Sequence, residues 1–505
     1  MNEKIDFTQP ENAAKVAALM TSHPETFFFS PEKNYVQGGV FFTPKQPLLA
    51  FSKPDHSLPL HKKGLKQRYL AVASDKTLGA GATAEVREIV GVWKITPERV
   101  EFKVKPAEKT RVLKSAIYKN NTDWSRYEQH KFFIKNEQGK SQRITHLAAK
   151  YPSFDLDRSI HLLLRKQPGK NLLDFIEWQE FYPNNFSVLA YLLLCRNLFQ
   201  SYAQQIYAIK SPDKPEEELV HRDIKPENII FDPSSPTGSF NFIDFAFATF
   251  KKMTKEHLGS PIYMPPDHYL NNNEKLVSKA NDIFALILIG TELSGEAKRT
   301  KFQDPSELTK HNTNIDFPNL FKALKPCTKS LKKKIRRLWS EGTRFAQSTR
   351  DHLTPEIIIN KLNQFITTYC QNMTAQHPYL NFRLNEIKGK LNQYHQLSLS
   401  SQQQIEIEFL AVEYLNDAKN FPIERLKENH SLHNLWTEYR NNLLTPLVQK
   451  LESNALAYQP HALKKLQAAL HYANFLNPAI IDALYQELGI ALELDNKEEV
   501  NNLNI

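Results

Sequence analysis

The sequence predicts an α+β chain built as a β-rich lobe, a larger helical lobe and a further all-α region. Three observations predict this. Residues 69–118 hold short runs rich in Val, Ile, Phe and Tyr, broken by Gly and Pro, as strands are. From Ser187 onward apolar residues recur at three and four, the helical period. Of 15 glycines in 505 residues, only Gly389 and Gly489 follow Gly342.

In chain order, residues 1–68 alternate apolar stretches (Phe27–Phe29, Val40–Phe42, Leu48–Phe51) with Pro and Gly, which reads as strands and turns. Strands are expected at Tyr69–Ala73, Ala84–Ile95, Val100–Lys105 and Arg111–Ile117, interrupted by Gly79, Gly81, Pro97 and Pro106. Helices are expected near Asp123–Asn136 and Ser141–Lys150, then a strand at Ser159–Leu164. Ser187–Ile209 reads as a long apolar-rich helix, and Asn281–Glu292 as a nearly all-apolar, buried one. In Lys329–Trp339, Leu331, Ile335, Leu338 and Trp339 fall on one helical face and the basic residues on the other. Beyond Gly342, Pro378, Pro422, Pro446, Pro460 and Pro478 punctuate helical periodicity.

Composition excludes several classes. The scarcity of glycine, against an average near ~7%, rules out collagen-like and Gly-rich low-complexity chains. Ser187–Cys195 and Ile283–Gly290 are the longest apolar runs, short of the ~18 residues a membrane span needs. Met1–Met20 has no apolar core of a signal peptide. Cys195, Cys327 and Cys370 lack Cys-x-x-Cys spacing, so buried thiols in a reducing compartment are expected. A net charge of +10 weakly favours acidic partners and leaves peripheral contact with an anionic membrane open. Aromatic interleaving and zinc spacing are missing, so nucleic acid is not expected as a partner.

The chemistry concentrates in Val220-His-Arg-Asp-Ile-Lys-Pro-Glu-Asn228. Phosphoryl transfer to a hydroxyl needs a carboxylate to orient and deprotonate the acceptor, a cation on the moving phosphate, and a metal ligand nearby. Asp223, Lys225 and Asn228 supply all three within six residues. Further on stand Asn241-Phe-Ile-Asp-Phe-Ala246 and Gly259-Ser-Pro-Ile-Tyr-Met-Pro-Pro-Asp267, and upstream Leu78-Gly-Ala-Gly-Ala-Thr-Ala-Glu-Val86.

Together these stretches resemble eukaryotic-type Ser/Thr protein kinases over roughly residues 70–365. The resemblance implies a bilobal protein kinase fold. An N-terminal extension (1–68) would pack on the small lobe of a kinase domain at 69–368, with its small lobe at 69–165 and large lobe at 166–368. Residues 369–505 would form an added helical domain. It implies ATP and Mg2+, with Asn228 and Asp244 as metal ligands and Asp223 positioning the substrate hydroxyl. Lys225 would sit on the γ-phosphate. Gly79, Ala80, Gly81 and Val86 would form the phosphate-covering loop. Ile160–Gly169 resembles the strand and hinge that hold adenine, with Arg165–Gln167 offering backbone hydrogen bonds.

The lysine that holds the α- and β-phosphates has three candidates. Lys94 lies eight residues after Val86, too close for an ordinary hairpin. Lys103 has the usual spacing, and Lys114 requires a long insertion. The basic run Phe-Lys-x-Lys…Arg-Val-x-Lys is similar to that of secreted (type IV) effector kinases of intracellular bacterial pathogens, which favours Lys114. In the same pattern a glutamate precedes His146-Leu-Ala-Ala-Lys-Tyr-Pro152, pointing to Glu137, with Glu128 as the alternative.

Supports of the site are also expected. Ser260 would contact Asp223 and Lys225, Asp267 would pair with Arg350, and Asp282 would hold the backbone of the catalytic loop. Arg222 would receive an acid or phosphate of the Thr249–Ser260 segment. The family has Gly where this chain has Ala84 and Ala246, and Glu where it has Asp267. Those departures motivate an alternative, a pseudokinase scaffold that binds a partner. The effector likeness implies host protein substrates, with the chain starting in the bacterial cytoplasm and ending in the host cytosol without a signal peptide. The acidic end Glu487–Ile505 resembles a type IV secretion signal. The C-terminal helices would dock a substrate or activator.

Overall fold

The computed structural model of the chain describes residues 3–37, 40–54, 66–80, 84–96, 98–104, 110–117, 135–136, 150–154, 159–179, 188–211, 214–232, 239–250, 253–254, 258–265, 267, 275–294, 328–344 and 347–376. They fall into two units. One comprises Met1–Gln167 with Asp244–Ala248, the other Pro168–Ile243 with everything from Thr249 on.

The first unit is built on an antiparallel sheet. In chain order it contains β1 (Glu3–Ile5), α1 (Ala13–Ser22), β2 (Phe28–Phe29), β3 (Tyr35–Gln37), β4 (Val40–Pro44), β5 (Leu48–Pro54), β6 (Lys66–Ala80), β7 (Glu85–Ile95), β8 (Val100–Val104), β9 (Arg111–Ile117), β10 (Lys150–Phe154) and β11 (Ser159–Arg165). The large sheet runs β10-β11-β9-β7-β6-β5-β2, with β8 on β7, and β1-β4-β3 form a small second sheet. Side chains alternate between faces, as the pleat requires. Leu70 and Val72 of β6 enter one core with Leu48, Ala50 and Trp93, while Ala71 and Ala73 enter another with Leu49 and Leu113.

Residues of the N-terminal stretch, from Ile5 to Ala50, share this unit's core. The expected boundary at 68/69 cuts through β6, whose residues Lys66–Arg68 pair with Ser52–Pro54. The apolar alternation starts at Tyr69, but the ladder continues through polar residues, because backbone pairing does not need apolar side chains. The core around Trp93 is formed by Ile5, Phe7, Leu19, Phe29 and Phe42 among others, and the Trp93 indole donates to the Phe7 carbonyl at 2.8 Å. Each such aromatic, fully buried, contributes roughly 1.5–3 kcal/mol. His161 of β11 is buried between Phe28, stacked at 4.0 Å, and the Ser115 hydroxyl at 2.9 Å, and burial pushes its pKa down to about 3.

Of the helices expected between 123 and 150, Lys135 and Asn136 are helical, Lys150 instead opens β10, and the rest lies outside the described residues. The small-lobe boundary expected at 165/166 falls two residues later, because Lys166 is still tied to Thr110 at 3.1 Å, and Asp244–Ala248 returns to the first unit.

The second unit contains β12 (Lys170–Asn171), α2 (Leu172–Gln179), α3 (Val188–Tyr202) closing in a π-helical turn (Ala203–Tyr207), β13 (Ile229–Asp232), β14 (Ser239–Phe242), β15 (Met253–Thr254), β16 (Lys275–Leu276), α4 (Lys279–Glu292), α5 (Lys329–Gly342), α6 (Gln347–Arg350) and α7 (Pro355–Gln376). Every residue of α4 is buried, the apolar run Ile283–Ile289 as its pattern predicts and the polar Lys279, Asn281, Asp282 and Glu292 with it, and the Ser278 hydroxyl caps it by accepting from the Ala280 amide at 3.2 Å. Leu331, Ile335, Leu338 and Trp339 of α5 are buried while Lys333, Lys334, Arg336 and Arg337 are exposed. The Trp339 indole donates to Tyr191 Oη at 2.9 Å, and that hydroxyl donates to the Gly290 carbonyl at 3.1 Å, which joins α3, α4 and α5. Cys195 is buried among them, and burial pushes its thiol pKa up to about 12, an inert group.

Helix α7 runs through the expected 368/369 boundary. Ile358, Leu362 and Ile366 are buried, and neither Gly nor Pro interrupts the chain before Pro378. Residues 377–505, and with them the expected C-terminal domain, lie outside the described residues. Among the described residues no helix is long and apolar enough to cross a membrane.

Candidate active site

In the second unit the loop Val220–Asn228 is pinned from below by Asp282 of α4. Its carboxylate accepts from the backbone amides of His221 at 2.8 Å and Arg222 at 3.0 Å, and from Tyr202 Oη at 3.1 Å. Burial raises the Asp282 pKa, opposed by His221, the two amides and Tyr202. The anchor is needed because Arg222 has φ 72°, a left-handed conformation that costs a residue with a Cβ roughly 1–2 kcal/mol. Gly259 approaches from the other side at φ 118°, and a Cβ there would lie 2.3 Å from the Arg222 carbonyl, so only glycine fits. Val220 and Thr249 exchange backbone bonds of 2.9 Å in both directions. His221 Nδ1 faces the Asp223 amide at 3.3 Å and its Nε2 faces the Ile243 carbonyl at 3.0 Å, which assigns the proton to Nε2.

The loop then delivers three functional side chains to one point. Asp223, only 7% exposed, accepts from Ser260 Oγ on Oδ1 at 2.8 Å. Its Oδ2 accepts from Asn228 Nδ2 at 2.9 Å and lies 3.1 Å from Lys225 Nζ. Lys225 Nζ also donates to Ser260 Oγ at 2.8 Å, and Asn228 Nδ2 to the Asp223 carbonyl at 2.8 Å. Both amide hydrogens of Asn228 thus go to Asp223, which leaves Oδ1 as its metal-competent atom. A short helical turn at Pro226–Asn228 turns Asn228 back towards Asp223. The arrangement holds the Asp223 carboxyl group beside a serine hydroxyl and the Lys225 amine. That is what orienting and deprotonating an acceptor hydroxyl requires.

The Gly259–Asp267 stretch is anchored twice. Tyr263 Oη contacts both carboxylate oxygens of buried Glu292 at 3.0 Å, and Arg350 Nη2 donates to Asp267 Oδ1 at 2.8 Å. Asp267 therefore keeps the pairing expected of a longer acid. Leu258, Met264 and Pro265 line a recess beside Asp223 and Ser260.

In the first unit, Lys114 of β9 pairs with Asp244, Nζ to Oδ1 at 2.9 Å, and its side chain is 13% exposed. Lys103 of β8 is half exposed and lies 3.5 Å from Glu101, and Lys94 stands opposite Tyr69 and Glu101 in the sheet. Strand β8 is an inserted hairpin arm on the far end of β7, and β9 pairs with the near end, where Val86 is the register partner of Lys114. Val86 and Ala84 pack on the cluster Val112, Ala116, Ile160, Leu162 and Leu164. Gly79 and Ala80 end β6, and a Cβ at Gly79 would meet nothing within 4 Å among the described residues. Gly81, Glu137 and Glu128 lie outside the described residues. Arg165 pairs with Arg111 in the sheet, and its carbonyl accepts from Gln167 Nε2 at 3.1 Å.

Asp244 has φ 64°, the one other left-handed non-glycine residue besides Arg222 among the described residues. Ala246 lies outside that region, so alanine meets no left-handed backbone strain there in this conformation. Asn136 was not singled out by sequence reasoning. Its Nδ2 donates to the carbonyls of Ala246 and Ala248, 2.9 Å each, a contact across more than a hundred residues that no local motif signals. Each unit offers an oxygen donor of the kind a hard divalent cation takes when phosphates complete its shell: the Asp244 carboxylate in the first and the Asn228 amide oxygen in the second.

Residues 73–373 match the family model described as protein kinase domain. Over 197 residues the chain is 29% identical to Citron rho-interacting kinase of Rattus norvegicus, an alignment covering 38% of this chain and 9% of that protein. The chain thus spans under a tenth of the length of this curated relative.

Proposed function

Since the chain belongs to the protein kinase domain family, we propose that it transfers the γ-phosphate of Mg2+-bound ATP to serine and threonine hydroxyls of protein substrates. Asp223 orients the acceptor hydroxyl and takes its proton as the new O–P bond forms and the bond to ADP breaks. Lys225 neutralises charge on the moving phosphoryl group. Lys114 would hold the α- and β-phosphates, with Glu137 as its partner, and Asp244 and Asn228 would hold the metal. When bound, Mg2+ would neutralise phosphate charge. Gly79, Ala80, Gly81 and Val86 cover the phosphates, and backbone groups of Arg165–Gln167 meet the adenine.

The observation that carries the Ser/Thr assignment is the contact of Ser260 with both Asp223 and Lys225, 2.8 Å each. It shows a serine-type hydroxyl meeting the carboxylate and the ammonium together. Phosphoamino-acid analysis of a generic protein substrate checks the assignment. Phosphoserine and phosphothreonine are expected, and label confined to phosphotyrosine would refute it.

We further propose, on the effector likeness of the Lys103–Lys114 run and the acidic end Glu487–Ile505, that the substrates are host proteins reached by secretion, with a docking partner at the C-terminal region. A reporter fusion that never leaves the bacterium would contradict this.

A further inference from the structure

We propose that Asn136 is a positioning residue for phosphoryl transfer. Its carboxamide clamps the turn that carries Asp244, and it acts through that carboxylate without touching substrate. The proposal rests on the kinase reading above.

Asn136 Nδ2 donates to the Ala246 and Ala248 carbonyls at 2.9 Å each. A carboxamide nitrogen carries two hydrogens, so the two acceptors use both, and the isosteric aspartate offers none. Two converging carbonyls also fix which way the amide points. The turn needs this support. Asp244 holds a backbone conformation that residues with a Cβ disfavour, and the bond within the turn itself, Ala248 amide to Phe245 carbonyl, is long at 3.2 Å. Buried Phe245 and Ala248 seat the turn, but apolar contacts do not set the direction of a carboxylate.

Lys114 supports the same carboxylate directly, at 2.9 Å. That support is lent away when Lys114 turns to phosphates. The bonds of Asn136 go to backbone carbonyls and not to the carboxylate, so they persist when metal and nucleotide claim Asp244 and Lys114. Asn136 also directly precedes Glu137, so it ties the segment bearing the proposed lysine partner to the metal-bearing turn.

The test uses the full chain with Asn136→Asp and Asn136→Ala. Initial rates are titrated with Mg2+ at saturating ATP, and amide hydrogen exchange is followed over Asp244–Ala248 without nucleotide. Losing two backbone bonds is expected to raise the Mg2+ needed for half-maximal rate about tenfold, with most of kcat regained at saturating Mg2+. Exchange over the turn is expected to speed up in both variants. Unchanged Mg2+ demand together with unchanged exchange would overturn the proposal. So would an equal loss of rate at every Mg2+ concentration accompanied by a lowered unfolding midpoint, the signature of a merely structural residue. Should the wild type transfer no phosphate, the kinase reading fails, and the exchange comparison still decides the clamp.

Discussion

Asp223→Asn is expected to lower kcat by about 10²–10⁴-fold, the usual worth of a positioned general base. The substitution keeps the shape of the side chain but removes the charge that Ser260, Asn228 and Lys225 all address. An amide nitrogen would have to face one of these donors, so the hydroxyl-orienting geometry is lost together with the proton acceptor. The fold has independent support at this point. Asp282 holds the His221 and Arg222 amides whatever stands at 223, so circular dichroism and the unfolding midpoint should stay close to wild type. Steady-state kinetics against a generic protein substrate measure the effect. A loss below tenfold would remove Asp223 from the role assigned to it.

Arg350→Ala is expected to destabilise the second unit by about 3–5 kcal/mol, the cost of breaking a buried ion pair from one side. The Arg350 side chain is 1% exposed and that of Asp267 17%, so solvent does little to screen the carboxylate left behind. The guanidinium also donates to the Arg344 carbonyl at 2.5 Å and stands over the Phe284 ring at 5.6 Å, contacts that alanine deletes. Arg350→Lys should recover only part of the loss, because an ammonium group cannot reproduce the planar fork. Urea unfolding compares the three proteins. A change under 1 kcal/mol for the alanine variant would mean that water replaces the arginine. Because Asp267 closes the stretch that begins at Gly259 and holds Ser260, the variant should lose activity along with stability.

What was legible in the sequence was local. Asp223, Lys225 and Asn228 lie within six residues, and spacing alone assembles them. The pairing of Asp267 with Arg350 and the hold of Asp282 on the loop were expected from position and appear as hydrogen bonds. The buried face of α5 and the apolar run of α4 followed from periodicity. What was not legible depends on pairing between distant segments. Lys103 and Lys114 carry similar local patterns. They differ because β8 occupies one end of the edge of β7 and β9 the other, and the register of strands is set by the whole sheet. The joining of β5 to β6, which ties the N-terminal stretch into the large sheet, depends on the same long-range pairing. Ala246 illustrates a third limit. A missing glycine matters where the backbone enters the left-handed region or leaves no room for a Cβ, and in this turn it is Asp244 that takes the left-handed conformation.

The most direct test of the account is transfer of label from γ-labelled ATP, with Mg2+, to a generic protein by the wild type, Lys114→Met and Lys103→Met side by side. The account predicts labelled protein from the wild type and from Lys103→Met, and none from Lys114→Met, whose ammonium group alone of the two stands at Asp244. No label from the wild type, or label lost with Lys103 and kept without Lys114, would contradict it.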